Sequence, residues 1–131
     1  MALLEKFLFV KKSTIPKAGK GLFTAVDIPK GTRIVEYKGK KCLWRNVRHL
    51  DSSNPYLMRV DRLHAIDALR SLKTFGRYAN DAMGISRLSG LRNNAEYVAE
   101  GKRCFIEATK AIPAGAEIFV SYGKEYWKTF S

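Results

Sequence analysis

The sequence has few cysteines, no long apolar run and few acidic residues. Its two cysteines, Cys42 and Cys104, are too few and too far apart for a disulfide scaffold or a zinc cage. No uninterrupted apolar stretch approaches the ~20 residues that a membrane helix needs. Residues 1–12 alternate apolar and basic side chains and lack the small-residue cleavage site of a signal peptide. These absences predict a cytoplasmic protein with reduced thiols and no membrane contact.

Positive charge is the most unusual property of the composition. The 24 Lys and Arg residues exceed the 12 Asp and Glu residues, so the net charge is +12. Such a charge favours an acidic partner, which could be nucleic acid, an anionic surface, an acidic cofactor or an acidic protein. The basic residues are scattered along the sequence, without a helix-turn-helix, zinc-finger or RNP pattern. We therefore favour ordinary solubility charge over dedicated nucleic-acid binding, although weak nonspecific binding that fades with salt would follow from charge alone.

The length and hydrophobic pattern predict one mainly β domain over residues 1–131. Hydrophobic residues make up 46% of the 131, enough for a packed core. Short apolar runs between Gly and Pro residues predict strands at 7–10, 33–37, 56–60, 97–99, 104–107 and 117–122. A helical period is clear only at 43–50, and a second short turn is expected at 124–130.

A short pattern occurs twice. Ile28-Pro29-Lys30-Gly31 and Ile112-Pro113-Ala114-Gly115 share the form I-P-x-G. Each is predicted to make a Pro-Gly turn that leads into a strand.

Four motifs follow one another in the chain. They are Gly19-Lys20-Gly21, Tyr37-Lys38-Gly39, Arg77-Tyr78-Ala79-Asn80 and Glu117 followed by Tyr122-Gly123. In this order they resemble the SET-domain protein lysine methyltransferases, whose pattern runs GxG, YxG, R-F-x-N-H-S and E-L-x-x-x-Y-G. The resemblance covers nearly the whole chain. It implies several small curved β-sheets, a pseudoknot formed by the C-terminal segment, and methyl transfer from S-adenosylmethionine to a lysine amine of a protein.

The resemblance also implies which residues contact S-adenosylmethionine. They are Lys20, Gly21, Leu22, Arg77, Tyr78, Asn80, Asp81, Tyr122 and Trp127. Asn80 is the strongest candidate, because its amide has both an acceptor and donors for the amino and carboxylate ends of the methionine part. Asp81 and Ala82 depart from the pattern, which has His and Ser there. Since an ionised Asp accepts but does not donate, the change concerns the bracing of the tyrosine strand rather than cofactor binding.

The same resemblance assigns catalysis to Tyr122, Tyr97 and Tyr56. An incoming lysine is protonated at neutral pH, and burial in an aromatic channel would lower its pKa while hydroxyls orient the amine. Tyr126 and Trp127 are expected to form a lid over this channel. Tyr37 is expected to fill the core, and so is the ring of Tyr78.

Other chemistry finds little support. His49 and His64 lack metal-ligand spacing, so no metal site is predicted, and Asp67 is interpreted as structural. The absent cysteine-rich segments favour a minimal bacterial or viral member, with the host nucleus as a second location for a viral protein. The alternative function is a catalytically weak SET-like module that binds a protein or nucleic acid, which Asp81 and Ala82 support best.

A histone-like, nucleoid or ribosomal protein would each fit as substrate. A basic tail needs a locally acidic groove on so basic an enzyme, and Glu36, Glu96 and Glu125 are the candidates for it. The number of methyl groups and the oligomeric state are not predicted.

Overall fold

Ten short strands form three small sheets in a computed structural model that describes residues 3–16, 18–51, 53–82 and 92–121. In chain order the strands are β1 (Leu8–Lys12), β2 (Lys20–Thr24), β3 (Arg33–Glu36), β4 (Lys40–Leu43), β5 (Leu57–Arg59), β6 (His64–Asp67), β7 (Ala95–Glu100), β8 (Arg103–Ala108), β9 (Glu117–Ile118) and β10 (Val120–Ser121). Helix α1 (Trp44–Val47) continues into a 3-10 turn at Arg48–Leu50, and further 3-10 turns lie at Glu5–Phe7 and Gly76–Tyr78.

The sheets have the orders β1-β2-β9, β10-β7-β8-β3 and β4-β6-β5. The pairing of β10 with β7 is parallel, and the other named strand pairs are antiparallel. The mainly β architecture of small sheets is therefore confirmed. The pseudoknot remains a prediction, because residues 122–131 lie outside the described residues, as does the turn expected at 124–130.

The main core lies between the first two sheets. Leu22, Ile34, Ile106, Ile118 and Val120 are completely buried there. Burial of each such side chain stabilises the fold by roughly 1.5–3 kcal/mol. A smaller cluster connects the third sheet to the second; its buried members are Tyr37, Ile66, Ala68 and Cys104.

The strand predictions differ from the structure in two ways. First, β2, β4 and β6 occur where the apolar pattern predicts no strand. The glycines hide β2, the lysines hide β4, and β6 has only two apolar residues, Ala65 and Ile66. Second, the strand predicted at 117–122 is divided at Phe119. Its N–H donates to the Asn94 side chain at 2.9 Å, and its carbonyl accepts from the backbone of Asn94 and Ala95, so Phe119 leaves the ladder of β9.

The two I-P-x-G turns bind each other. Ile28 and Ile112 exchange both backbone hydrogen bonds at 2.8 Å. The Gly31 N–H donates to the last carbonyl of β8, and the Gly115 N–H donates to the last carbonyl of β2. Both glycines have left-handed φ angles, 88° and 86°, which a side chain would disfavour. The repeated pattern is thus a symmetric pair of turns that ties the first sheet to the second.

A buried carboxylate connects β9 to the rest of the fold. Glu117 is 5% exposed, and it accepts hydrogen bonds from Ser13 Oγ at 2.6 Å, from Thr14 N and Oγ1 at 2.9 and 2.7 Å, and from Asn80 Nδ2 at 3.5 Å. A Cβ at Gly21 would collide with the same carboxylate. No Lys or Arg among the described residues pairs with Glu117. Since a buried charge is tolerated only when it is well hydrogen-bonded, these donors must stay in place.

We expect Glu117→Gln to lower the free energy of unfolding by about 2 kcal/mol, since hydrogen bonds to charged acceptors contribute roughly 1.5–3 kcal/mol each. The new amide NH₂ would face either the Thr14 N–H or the Asn80 amide, donor against donor. The measurement is urea unfolding followed by circular dichroism. Glu96→Gln is the matched control: Glu96 is exposed on β7, and its change should stay within about 0.5 kcal/mol. Equal stability of the two variants would contradict the role given to Glu117.

Candidate active site

A cavity of about 770 Å³ opens between the Gly19-Lys20 segment, the Arg77–Asn80 segment and the third sheet. The described residues that line it include both polar and aromatic side chains. They are Ala18, Gly19, Lys20, Tyr37, Trp44, Asp51, Pro55, Tyr56, Leu57, Met58, Arg59, Leu72, Arg77, Tyr78, Asn80 and Tyr97.

Tyrosines from three parts of the chain form one aromatic wall. The rings of Tyr37 and Tyr97 meet edge to face with centroids 5.8 Å apart. The Tyr37 hydroxyl donates to the Tyr56 carbonyl at 2.8 Å. Two of the predicted catalytic residues, Tyr56 and Tyr97, are therefore brought together, with Tyr37 between them. Tyr37 is only 3% exposed, as expected for a core residue, yet it also lines the cavity.

Arg77 is directed toward protein groups. Its guanidinium donates to the carbonyls of Ala68 and Leu69 at 2.9 and 3.2 Å. It also lies 3.9 Å from the ring centroid of Tyr56 and 5.0 Å from that of Tyr78. Buried cation–π contacts of this kind contribute about 2 kcal/mol. Arg77 thus fixes the cavity wall by holding two tyrosine rings.

Asn80 lies where the first sheet reaches the cavity. Its Nδ2 donates to the Lys20 carbonyl at 3.0 Å and, at 3.5 Å, to Glu117. Its own carbonyl accepts from the Val120 N–H at 2.8 Å. No described residue donates to Oδ1, so this acceptor is available to a ligand.

Part of the GxG segment lines the cavity, and part of it is buried in the protein interior. Gly19 and Lys20 line the cavity, whereas Gly21 is buried against Glu117. The side chain of Leu22 is completely buried in the main core, and Leu22 does not line the cavity. Of the three residues predicted here, the structure thus brings Lys20 to the cavity.

Asp81 does not line the cavity; it is 7% exposed and bonded within the fold. Its carboxylate accepts from Asn93 Nδ2 at 2.9 Å, and Asn93 Oδ1 accepts from the Ala82 N–H at 2.8 Å. The next residue, Asn94, donates to the Glu117 carbonyl at 3.0 Å and accepts from the Phe119 N–H at 2.9 Å. The asparagine pair therefore joins the Asn80–Ala82 segment to the strands that lead to residue 122.

Sequence reasoning did not single out this asparagine pair. The signal was an Asn doublet directly before a strand, where short amides commonly bond to nearby backbone groups. Glu117 was visible only as a letter of the E-x-x-x-x-Y-G motif.

Asp51 is the one carboxylate among the described lining residues. Of the acidic candidates from the sequence, Glu36 is held by Arg103 at 2.8 and 3.1 Å, and these hydrogen bonds lower the pKa of Glu36. Glu96 is exposed on β7 and does not line the cavity. Glu125, like the predicted site residues Tyr122 and Trp127, lies outside the described residues.

The buried Cys104 is not a nucleophile, and the described residues do not form a metal site. Burial raises the pKa of Cys104 to about 12, so its thiol stays protonated at neutral pH. No described group of three His, Cys, Asp or Glu side chains could hold a metal ion.

The described helices include none long and apolar enough to cross a membrane. Asp67 accepts from Asn54 Nδ2 at 2.9 Å, which is a structural role.

Three comparisons relate the chain to known proteins. The SET domain family model matches residues 19–123. The mouse protein named inactive histone-lysine N-methyltransferase 2E is 29% identical over 123 residues, which are 88% of this chain and 6% of the mouse protein. The Caenorhabditis elegans histone-lysine N-methyltransferase set-17 is 27% identical over 122 residues, which are 92% of this chain and 42% of that protein. The chain thus spans less than half the length of either relative.

A solved structure shares the fold. A humanized mutant of the Chaetomium thermophilum Polycomb Repressive Complex 2, bound to an inhibitor, superposes with a TM-score of 0.72. The match covers 93% of this chain and 15% of that chain at 24% identity. Since the family model spans most of the sequence, from the GxG segment to Gly123, the chain belongs to the SET domain family.

Proposed function

We propose that this protein is a methyltransferase that transfers a methyl group from S-adenosylmethionine to a lysine side chain of a protein. The observation that carries the proposal is the cavity itself. There Asn80 and Lys20 lie on the same cavity as an aromatic wall that includes Tyr56 and Tyr97. Membership of the SET domain family supports the same assignment.

The polar end of the cavity fits the cofactor. S-adenosylmethionine would supply a methyl group on a sulfonium. Because Nδ2 of Asn80 is bonded to the Lys20 carbonyl, Oδ1 is the atom that would accept from the amino group of the methionine part. The Lys20 carbonyl and Glu117 fix this orientation before the cofactor binds, and the Val120 N–H holds the Asn80 backbone.

The aromatic wall fits the lysine. An ammonium group that enters an apolar channel loses solvation, so its pKa falls and the amine can attack. The Tyr56 hydroxyl makes no hydrogen bond with a described residue and could therefore orient the amine. Ser121, the residue before Tyr122, pairs with Glu96, the residue before Tyr97. This register supports the assignment of Tyr122 to the same site.

For the substrate we propose a basic, histone-like protein, since the names of both relatives refer to histone lysines. Asp51 is the carboxylate placed to attract its lysine into the cavity. The cytoplasmic location and the minimal bacterial or viral type remain predictions.

A catalytically weak binding module is the second candidate. The mouse relative is named as an inactive enzyme, and Asp81 departs from the family pattern in this chain. Incubation with radiolabelled S-adenosylmethionine and core histones separates the two functions. Label on a histone lysine supports the methyltransferase, whereas cofactor binding without transfer to histones or to a total cell lysate supports the module.

S-adenosylmethionine should raise the melting temperature, because a ligand at a hundred times its Kd stabilises by about 2.7 kcal/mol. Asn80→Ala should remove most of that rise, since the acceptor for the amino group is lost. The measurement is the cofactor-induced shift for each variant, which cancels any change in intrinsic stability. Asn46→Ala is the matched control, because Asn46 is exposed on α1 and does not line the cavity. A melting curve of the unaltered protein that does not move at millimolar cofactor would sink the proposed function.

Tyr122→Phe should keep the cofactor-induced shift but slow methyl transfer at least tenfold. The loss of one transition-state hydrogen bond of roughly 1.5–3 kcal/mol accounts for such a decrease. Tyr97→Phe should instead keep activity and shift products toward higher methylation, because it frees space beside the amine. Mass spectrometry of the product lysine measures both effects. Full activity of Tyr122→Phe on a verified lysine substrate would show that Tyr122 is not catalytic.

A further inference from the structure

Half of the net charge lies in about a quarter of the chain. Residues 38–73, here called the basic segment, contain nine Lys and Arg against three Asp and Glu, which leaves +6 of the total +12. All nine cationic residues are exposed. They are Lys38, Lys40, Lys41, Arg45, Arg48, Arg59, Arg62, Arg70 and Lys73.

These cations are not neutralised within the part of the protein that the structure describes. The Lys and Arg residues with an ion pair there are Arg33 and Arg103, and both lie outside the basic segment. Arg33 and Arg103 pair with glutamates across strands, whereas the basic segment concentrates nine exposed cations that have no such pair with a described residue.

The three acidic residues of the basic segment, already counted in this net charge, form no ion pair with its Lys and Arg residues, all of which the structure describes. Asp67 is bonded to the Asn54 amide, and Asp61 accepts from the backbone of Leu63 and His64. Asp51 belongs to the cavity.

The cations lie on the third sheet, on α1 and on the turn and loops that adjoin them. Strand β4, with Lys40 and Lys41, is an edge strand of the third sheet and leads directly into α1, which carries Arg45. The Arg59 guanidinium, from the opposite edge strand β5, lies 4.6 Å from the Trp44 ring centroid. Since Trp44 and Arg59 line the cavity, the charged surface begins at the rim of the active site.

We propose that the basic segment binds the phosphate backbone of duplex nucleic acid. The cations extend over two edge strands, a helix, a 3-10 turn and three loops rather than converging on one pocket. This distribution fits a regular polyanion, which carries one charge per about 1.7 Å of duplex, better than a short acidic peptide. Contacts of Lys and Arg to phosphates position a protein without reading sequence, so the binding is nonspecific.

Protection of a sheet edge against pairing with other chains explains fewer of these cations than nucleic-acid binding does. Lysines on an edge strand discourage pairing with other chains, and this accounts for Lys40 and Lys41. It does not account for Arg45, Arg48 or Arg70, which lie outside the strands. The inference goes beyond the proposed methyltransferase function and does not depend on it.

The test is fluorescence anisotropy with a labelled DNA duplex of about 30 base pairs, at several NaCl concentrations from about 50 to 300 mM. The variant Lys40→Gln/Lys41→Gln/Arg45→Gln should raise Kd at least tenfold. The slope of log Kd against log salt should fall by about 2.7, since each of the three lost phosphate contacts lowers it by about 0.9. The control Lys30→Gln/Lys102→Gln/Lys110→Gln changes the net charge equally at exposed positions outside the basic segment, and should change Kd less than about threefold.

A second variant, Arg48→Gln/Arg62→Gln, tests the proposal independently if the first variant does not fold. It should also weaken binding severalfold. Circular dichroism verifies the fold of each variant. Three outcomes would overturn the proposal: equal weakening by segment and control variants, no binding by the unaltered protein at the lowest salt, or competition by polyglutamate as strong as that of DNA at equal charge. The last outcome would point to an acidic protein partner instead.

Discussion

The carboxylate of Glu117 is the interaction on which the site depends. It is buried, has no cationic partner among the described residues, and is satisfied by donors from Ser13, Thr14 and Asn80. A charge in such a place is costly unless every donor is held. The loop after β1, the start of β2 and the asparagine of the cavity are therefore fixed relative to β9. Together with the Lys20 carbonyl, Glu117 thus holds Nδ2 of Asn80 and leaves Oδ1 for a ligand.

Asp81, which replaces the His of the family pattern, still braces the strand that leads to residue 122, but through different hydrogen bonds. An ionised Asp is an acceptor, and Asn93 provides the donor that it needs. Asn93 bonds in turn to the Ala82 N–H, and the adjacent Asn94 bonds to both sides of the break between β9 and β10. The strand that leads to residue 122 is therefore anchored through the asparagine pair. This anchoring weakens the main argument for a catalytically impaired module.

Sequence alone predicts the fold class and several cavity residues, because apolar alternation and motif order are local signals. Lys20, Tyr56, Asn80 and Tyr97 do line one cavity. A motif cannot tell whether a residue contributes its side chain or its backbone, which is why Leu22 was predicted at the site and is found in the core.

Contacts between residues far apart in the sequence could not be predicted, because sequence patterns are local signals. Glu117 lies 104 residues from Ser13, and nothing local marks the two as partners. Likewise, scattered lysines and arginines give no sign that pairing neutralises Arg33 and Arg103 but leaves the basic segment unpaired. Only the three-dimensional structure can distinguish cations that merely increase solubility from cations that form a binding surface.

The charge distribution also bears on the substrate of the proposed methyltransferase. A free basic tail would be repelled by a protein of net charge +12, although salt limits this repulsion to about 8–10 Å at physiological ionic strength. Asp51 is the one carboxylate among the described lining residues and favours a lysine, whereas Lys20, Arg59 and Arg77 also line the cavity. Around the cavity, the positive charge of the basic segment repels a lysine. A lysine-rich protein that already lies on nucleic acid satisfies both regions, because the phosphates face the cations while a single lysine enters the cavity. The two proposals thus converge on a DNA- or RNA-bound protein as the substrate that this charge pattern suits best.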